Sequence, residues 1–283
     1  MAVFIAPGAV VDPRAELDDE VYVGPFCVVG PKVRIGAGTR LENGVTLMGR
    51  VTLGRDNRLY PGVVIGGDPQ DLSYRGADTQ VTIGDGNTLR ECVTVNRASE
   101  KEDGVTSLGD NNYLMACVHV AHDCKLASGI VIANSTLLGG HVHVGDHATL
   151  SGNIGVHQFA SIGKFSFTAG LSCVLHDVPP FMLAEGNPAR PRCVNLVALK
   201  RHNFTSDAVD ALLEAHRLLY RSKVGFEHAH EILKNKIARF PRSCSCLSLC
   251  ERSKKGSMVG RGNEHGEQHE SDSHGRRRGG ASR

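Results

Sequence analysis

The sequence predicts an all-β solenoid, a parallel β-helix built from hexapeptide repeats, followed by a C-terminal helical domain. Every sixth residue is aliphatic over a long N-terminal stretch, at Ile5, Val11, Leu17, Val23, Val29, Ile35, Leu41, Leu47, Leu53, Leu59 and Ile65. The chain also contains 33 glycines and no tryptophan, which suits a backbone with many tight corners. Beyond about residue 190 the apolar residues change to a helical spacing.

The period of six continues beyond this first stretch. Further aliphatic positions are Ile83, Leu89, Val95 and then, in a new register, Leu108, Leu114, Val120, Leu126, Ile132, Leu138, Val144, Leu150, Val156, Ile162 and Val174. Only Thr168 breaks the rule. A period of six fits a short strand and a corner repeated around a closed coil, with about three repeats, or roughly 18 residues, in each coil. Proteins with this pattern are known for left-handed coiling, so the resemblance implies a left-handed parallel β-helix over residues 1–186.

Two polar insertions interrupt the repeat, at about residues 67–80 and 97–106. A β-helix tolerates extra residues only where they loop out of a corner, and such loops commonly carry binding groups on a rigid scaffold. The first insertion contains Gln70 and Asp71, and the second contains a run of charges from Glu100 to Asp103. We expect a binding role for these loops, although solvated decoration is an equal alternative for the second.

Residues 187–260 are predicted to form a helical cap over the open last coil, which otherwise exposes a sheet edge. Residues 187–191 are expected to be a connector, and the stronger helix is expected to begin with Ser206 as its N-cap. A third helix is predicted near residues 226–240. The low-complexity residues 261–283 are predicted to be disordered.

Composition narrows the class of protein. The formal net charge of +2 is small for this length and does not favour a nucleic-acid binder. The nine cysteines are scattered through a long chain, so we interpret most of them as small buried residues of a reducing compartment. The run from Cys244 to Cys250 lacks the second ligand pair of a zinc finger. No apolar run approaches the ~18 residues that span a bilayer and no charged leader precedes the repeat, so a cytoplasmic location is expected.

The coil length brings distant histidines together, because positions about 18 residues apart occupy the same place on successive coils. The corner that results is lined by His122, Asp123, Gly140, His141, His157 and Gln158. Three imidazoles beside a carboxylate and a glycine predict an acid/base site. His119 lies on a different part of the coil and is expected to be a supporting contact.

Two other interpretations stay open at this point. Three histidines on one corner also match a zinc site of the carbonic anhydrase type, so a zinc-dependent hydratase is an alternative. A non-catalytic β-helix scaffold is another, since a single histidine on a solenoid is commonly an exposed corner residue or a hydrogen-bonding spacer. Asp123 and Gly140 count against the hydratase, which needs neither.

Five short segments carry a family resemblance: His119-Val-Ala-His122-Asp-Cys, Leu138-Gly-Gly-His141-Val, Val156-His157-Gln158-Phe159, Asp177-Val-Pro-Pro180, and Gln70-Asp71-Leu72 with Tyr74. Together they resemble the UDP-N-acetylglucosamine acyltransferase family, from near the N-terminus to about residue 260. The resemblance implies a homotrimer with active sites between subunits and no cofactor or metal. It also implies transfer of a 3-hydroxyacyl group from acyl carrier protein to the glucosamine 3-hydroxyl of UDP-N-acetylglucosamine, the first step of lipid A biosynthesis.

Individual residues acquire roles from this chemistry. An alcohol is a poor nucleophile until a base takes its proton, a role that suits His122, with Asp123 holding the imidazole. The resemblance adds Gly140, whose N–H meets the developing oxyanion, and Gly170, past which the acyl chain is expected to lie. Residues implied to bind substrate or to shape the site are Gln70, Asp71, His119, His141, His157, Gln158, Asn195 and Arg201.

Three positions depart from the family pattern. Ser73 stands where the family usually has lysine, Val197 where it has glutamate, and His202 where it has arginine. Valine accepts no hydrogen bonds and histidine is only partly charged at neutral pH, so these changes concern the nucleotide sugar rather than acyl transfer. Lys200 and Arg201 are also candidates for contact with the acidic carrier protein.

Overall fold

A computed structural model describes residues 2–222 of the chain. The backbone winds into a left-handed parallel β-helix in which short strands alternate with corners. The strands form three sheets, which are the three faces of a triangular prism. The predicted fold, a hexapeptide solenoid followed by helices, is confirmed.

Each full coil contributes one strand to each face. The first face contains Phe4–Ile5, Tyr22–Val23, Arg40–Leu41, Arg58–Leu59, Thr88–Leu89, Tyr113–Leu114, Val131–Ile132, Thr149–Leu150, Phe167–Thr168, Met182–Gly186 and Ala189–Val194. The second face contains Val10–Val11, Val28–Val29, Thr46–Leu47, Val64–Gly67, Thr94–Asn96, His119–Val120, Leu137–Leu138, Gly155–Val156 and Cys173–Val174. The third face contains Glu16–Leu17, Lys32–Ile35, Arg50–Leu53, Gln80–Ile83, Val105–Leu108, Lys125–Leu126, His143–Val144 and Ser161–Ile162.

The aliphatic residue of each repeat points into the prism. Leu59, Leu89 and Leu114 stack on consecutive coils of the first face, and all three are 0% exposed. Burying a side chain of this size contributes about 1.5–3 kcal/mol. Thr168 occupies an equivalent interior position, and its hydroxyl finds no hydrogen-bond partner among residues 2–222. The interior is therefore a continuous aliphatic column with a hydroxyl near its C-terminal end.

Both insertions leave the prism at the corner between the second and third faces. The first follows strand Val64–Gly67 and the second follows strand Thr94–Asn96. These two strands pair directly, so the loops emerge on adjacent coils. The insertions therefore lie side by side.

Polar contacts join the two insertions into one unit. The backbone amide of Arg75 donates to Glu100 Oε1 at 3.0 Å. The guanidinium of Arg97 donates to the Tyr74 hydroxyl at 3.2 Å, and it also contacts Asp68. The two insertions therefore form one packed loop unit beside this corner.

The chain after the last coil turns back before it becomes helical. Strand Ala189–Val194 runs antiparallel to Met182–Gly186, so residues 187–191 form the turn and part of the second strand of a hairpin. The expectation that these residues are only a connector is wrong. The physical reason is that the added strand satisfies the backbone groups along the edge of the preceding strand.

Up to residue 222, two helices follow the hairpin: α1 (Leu196–Arg201) and α2 (Ser206–His216), the latter continued by a π-helical segment, Arg217–Arg221. The N-cap of α2 is Thr205 rather than the expected Ser206, because the Thr205 residue is extended and its hydroxyl accepts a hydrogen bond from the Ala208 amide. An apolar cluster that includes Phe181, Leu199 and Leu212 packs the helices against the last coil.

Some predicted features fall outside the described residues: the third helix at 226–240, the Cys244–Cys250 run and the tail at 261–283. Between residues 2 and 222, none of the helices is both long enough and apolar enough to cross a membrane.

Candidate active site

His122 and Asp123 lie where the chain leaves the second face and turns toward the third. Asp123 has φ of 60°, in the left-handed region that aspartate and asparagine adopt more readily than most other residues. The turn buries Asp123 completely, at 0% exposure, and leaves His122 8% exposed. A tight corner therefore holds an acid and an imidazole side by side.

The Asp123 carboxylate accepts hydrogen bonds from two neighbours. His122 Nδ1 lies 2.8 Å from Oδ2, and the Ser99 hydroxyl donates to the same oxygen at 2.7 Å. The Ser99 backbone amide also donates to this carboxylate, at 3.1 Å. Because a carboxylate only accepts, His122 carries its proton on Nδ1 and keeps a lone pair on Nε2. That lone pair is what a general base needs.

Gly140 lies against the other side of the His122 ring. A Cβ atom at this position would lie 2.6 Å from Cε1 and 2.8 Å from Nε2 of His122, which is closer than atoms can approach. Glycine is therefore required for the imidazole to keep its place. Among residues 2–222 the Gly140 N–H has no hydrogen-bond acceptor, so this donor is available to a ligand.

An open groove of about 490 Å³ runs along the second face past this corner. It is lined by Gln70, His119, Ala121, His122, Leu137, Leu138, Gly139, Gly140, Gly155, Val156, His157, Gln158, Cys173 and Leu175. Polar groups lie toward the corner, and the outward side of the strands adds apolar surface. A ligand with one polar and one apolar part matches this lining.

Three further predicted site residues share the groove. His119 Nδ1 hydrogen-bonds the Thr94 hydroxyl at 2.7 Å, and burial, with a smaller electrostatic effect of His122, lowers the His119 pKa. His157 and Gln158 are exposed, and His157 Nδ1 lies 3.0 Å from the Gln158 carbonyl oxygen. The stacking argument placed His119 apart from His122, yet both imidazoles line one groove.

His141 lies behind His122 rather than in the groove lining. Its side chain is only 4% exposed, and its Nδ1 lies 2.7 Å from Glu102 Oε1 of the second insertion. The ring stacks on Phe159, with centroids 4.4 Å apart, and meets the His122 ring edge-on at 5.2 Å. These contacts indicate that His141 supports the pair of His122 and Asp123. Its predicted contact with a nucleotide sugar stays a prediction.

Asp71 lies in the first insertion next to the groove residue Gln70. Its carboxylate accepts a hydrogen bond from Lys101 Nζ at 2.7 Å and others from the amide and hydroxyl of Ser73, both at 2.8 Å. The contact with Lys101 is the main reason that the pKa of Asp71 falls far below its usual range, and Ser73 acts in the same direction. Lys101 thus brings an ammonium group to the carboxylate that Ser73 also contacts, beside the position where the resemblance predicts a lysine.

Three predicted residues lie away from the groove within one chain. Asn195 is 8% exposed, and its side chain accepts from the Ala198 amide as the cap of α1 and donates to the Phe165 carbonyl at 2.9 Å. Arg201 is exposed at the end of the same helix. Gly170 lies at the corner between the first and second faces. Their roles toward substrate stay predictions.

The zinc alternative required three histidines on this corner. The donor cluster that does form contains His122, Asp123 and His141, with one ligand atom of each within 4.8 Å of the others. His157 is not part of it, and Asp123 already accepts hydrogen bonds from Ser99 and His122. The three-histidine arrangement is therefore not present in the described chain.

The sequence reasoning missed Ser99 and Glu102, which hold the buried acid and the second imidazole. Both belong to the charged insertion for which solvated decoration was an equal alternative. The only signal was the high charge of the run Glu100 to Asp103, which gave no indication of a partner.

Comparison with known proteins identifies similar chains. A family model described as "Udp N-acetylglucosamine O-acyltransferase; Domain 2" matches residues 177–258. An acyl-[acyl-carrier-protein]–UDP-N-acetylglucosamine O-acyltransferase of a Janthinobacterium species is 44% identical over 243 residues, which cover 86% of this chain and 93% of the relative. The enzyme of the same name from a Synechocystis species is 46% identical over 189 residues, 67% of this chain and 68% of the relative.

The fold matches solved structures as well. The structure of the UDP-N-acetylglucosamine acyltransferase from Francisella novicida superposes with a TM-score of 0.84 at 39% identity, over 88% of this chain and 90% of that one. Sequence and backbone similarity therefore extend together over most of the described residues.

Proposed function

This chain belongs to the UDP-N-acetylglucosamine O-acyltransferase family, and from that premise we propose that it transfers a 3-hydroxyacyl group from acyl carrier protein to the glucosamine 3-hydroxyl of UDP-N-acetylglucosamine, the first step of lipid A biosynthesis. The observation that carries the proposal is the His122 imidazole held between the Asp123 carboxylate and the Gly140 backbone. This arrangement supplies a base, its orienting acid and an oxyanion donor at one point.

His122 acts as the general base in this proposal. Its Nε2 takes the proton of the sugar hydroxyl as the oxygen attacks the thioester carbonyl carbon, and the imidazolium that forms is stabilised by Asp123 at 2.8 Å. When the tetrahedral intermediate collapses, the bond from carbon to sulfur breaks and the same proton passes to the departing thiolate. Base and acid roles thus use one nitrogen.

Gly140 provides the oxyanion donor. Its N–H has no acceptor within residues 2–222, and in this proposal it receives the oxygen of the thioester carbonyl as the activated hydroxyl attacks. A donor of this kind typically contributes about 3 kcal/mol to the transition state. Glycine also admits the thioester to a corner that a side chain would fill.

In this proposal the groove and the two insertions recognise the nucleotide sugar and the acyl chain. His119, His157 and Gln158 offer hydrogen-bonding groups toward the nucleotide sugar, with Gln70 and Asp71 from the first insertion. The apolar side of the groove, which includes Leu137, suits an acyl chain. No cofactor is required for the transfer, because the thioester is already activated.

A homotrimer completes this proposal. Asn195 and Arg201 lie near the corner between the third and first faces and not at the corner of His122. At that corner Asn195 donates to the Phe165 carbonyl oxygen, and His202 at the end of α1 contacts the Phe165 ring. A neighbouring copy that packs against the open second face would bring such residues to the groove. Leu137 is 53% exposed on that face, and a copy packed there would cover it. Light scattering after gel filtration measures the mass of the assembly in solution, which we expect to be three times that of one chain.

Acyl carrier protein is the proposed donor, and the exposed Lys200 and Arg201 on α1 suit an acidic partner. The proposed location is the cytoplasm. The described cysteines are all free thiols, which supports a reducing compartment.

The deciding experiment is an acyl-transfer assay with the purified full-length protein. It supplies 3-hydroxyacyl carrier proteins of several chain lengths and compares UDP-N-acetylglucosamine with other nucleotide sugars. We expect transfer to UDP-N-acetylglucosamine and its loss in His122→Ala, while His143→Ala, which changes an exposed imidazole on the third face, retains the rate. Near-normal turnover by His122→Ala contradicts the assigned base.

The same proteins, together with His141→Ala, test the hydratase alternative. Stoichiometric zinc that disappears in His141→Ala, together with hydration of carbon dioxide and no acyl transfer, would replace the proposed function. The cluster of His122, Asp123 and His141 is the observation that makes this control necessary.

A further inference from the structure

We propose that Glu102 is a positioning residue, which fixes the tautomer of His141 and thereby preserves the hold of Asp123 on His122. This inference rests on the proposed function. Glu102 reaches the buried pair from the second insertion, with Oε1 at 2.7 Å from His141 Nδ1. Its side chain is 38% exposed, whereas that of His141 is 4% exposed, so the carboxylate approaches the imidazole from the solvent side.

The proton on His141 follows from this contact. A carboxylate accepts hydrogen bonds and donates none, so Nδ1 of His141 carries the proton and Nε2 carries the lone pair. Nε2 lies 3.7 Å from Asp123 Oδ2, beyond hydrogen-bonding distance. Phe159 on one ring face and the edge of His122 prevent the ring from turning away.

The tautomer of His141 matters for catalysis because it decides which groups compete for the lone pairs of Asp123. Its Oδ2 already accepts from His122 Nδ1 at 2.8 Å and from the Ser99 hydroxyl at 2.7 Å. If His141 carried its proton on Nε2, that N–H would point at the same oxygen and compete with His122. Glu102 draws the proton to the opposite side of the ring, so Asp123 remains the partner of His122.

The charged run around Glu102 shows that this contact is separate from loop anchoring. Glu100 accepts from the Arg75 amide, Lys101 pairs with Asp71, and Asp103 pairs with Lys125. Within residues 2–222, Glu102 is the member of the run whose carboxylate meets an imidazole of the site. Of these, Glu100 anchors the loop without meeting a group of the proposed site, so it supplies the matched control.

The test uses Glu102→Gln, which keeps the shape and removes the charge, and Glu100→Gln as the control. Nitrogen NMR of the full-length protein labelled with 15N-histidine reads the tautomer of His141, assigned with His141→Ala. We expect Nδ1-protonated His141 in the unchanged protein and in Glu100→Gln, and a shift toward Nε2 protonation in Glu102→Gln. We also expect kcat to fall about tenfold in Glu102→Gln, the effect of replacing a charge-assisted hydrogen bond with a neutral one.

The proposal requires that the tautomer shift of His141 and the fall in kcat occur together in Glu102→Gln. An unchanged tautomer in Glu102→Gln overturns the proposal, and so does a changed tautomer with unchanged kcat. Glu102→Ala gives a second reading in which no side chain replaces the acceptor, and Glu102→Asp is expected to recover part of kcat. If the protein shows no acyl transfer at all, the proposed function fails and the positioning role with it, whereas the NMR result still decides the tautomer.

Discussion

Replacing Asp123 with asparagine removes the charge beside His122 and keeps the shape of the side chain. The amide has two orientations, and both are unfavourable. With its oxygen at the Oδ2 position, its NH2 group faces the Ser99 amide, 3.2 Å from Oδ1. With its NH2 group at the Oδ2 position, it faces the His122 Nδ1–H and the Ser99 hydroxyl, so His122 would have to move its proton to Nε2 and lose the lone pair.

The expected magnitude comes from the charge that develops on His122. Two unit charges about 4 Å apart attract by about 4 kcal/mol at an effective dielectric constant of about 20. This energy is available only once the imidazolium forms in the transition state, and 4 kcal/mol corresponds to roughly 10³-fold in rate. Because the amide oxygen keeps part of the hydrogen bond, we expect kcat for Asp123→Asn to fall about 10²- to 10³-fold.

The assay is steady-state acyl transfer at saturating substrate concentrations, with thermal unfolding of the same sample as the control. A folded variant with a reduced rate separates catalysis from stability, since the lost contacts with Ser99 also lower the unfolding midpoint. A kcat within threefold of the unchanged protein would refute the reasoning that Asp123 stabilises a charged His122.

Gly140→Ala should lower kcat by about 100-fold or more while the protein stays folded, because the added Cβ displaces the His122 ring; steady-state kinetics measures it. Leu114→Ala should reduce the free energy of unfolding by about 2–5 kcal/mol, whereas Leu72→Ala, at a fully exposed residue, should change it by less than about 0.5 kcal/mol, as judged by urea denaturation. Lys101→Ala should raise KM for the nucleotide sugar more than it lowers kcat, since Lys101 lies beside the first insertion and not at His122; initial-rate kinetics separates the two.

The periodic part of the fold is predictable because the hexapeptide rule is local. Each interior aliphatic residue is specified by its own repeat, so the inward positions of Leu59, Leu89 and Leu114 follow from counting within each uninterrupted segment. Counting about 18 residues fails across the insertions, where Leu89 pairs with Leu59 and with Leu114 at larger separations. No insertion separates His122 from Gly140, which is why that part of the site was predictable.

The insertions and the cap are less predictable because no period governs them. The reach of Glu102 to His141 depends on how two loops pack on each other, and a charge run does not encode that packing. Asn195 looked like a substrate contact, yet within one chain its side chain caps α1. Thr205 and Ser206 are adjacent hydroxyl residues, and only the backbone conformation decides which of them is the cap.

The Thr168 hydroxyl has no hydrogen-bond partner within residues 2–222, and this has a consequence for thermostability. A buried hydroxyl without a partner typically costs about 1–3 kcal/mol, and valine has nearly the same outline without that group. Thr168→Val would restore the aliphatic rule inside the prism without altering any residue that lines the groove. One interior atom is therefore a site at which we expect the unfolding midpoint of this chain to rise.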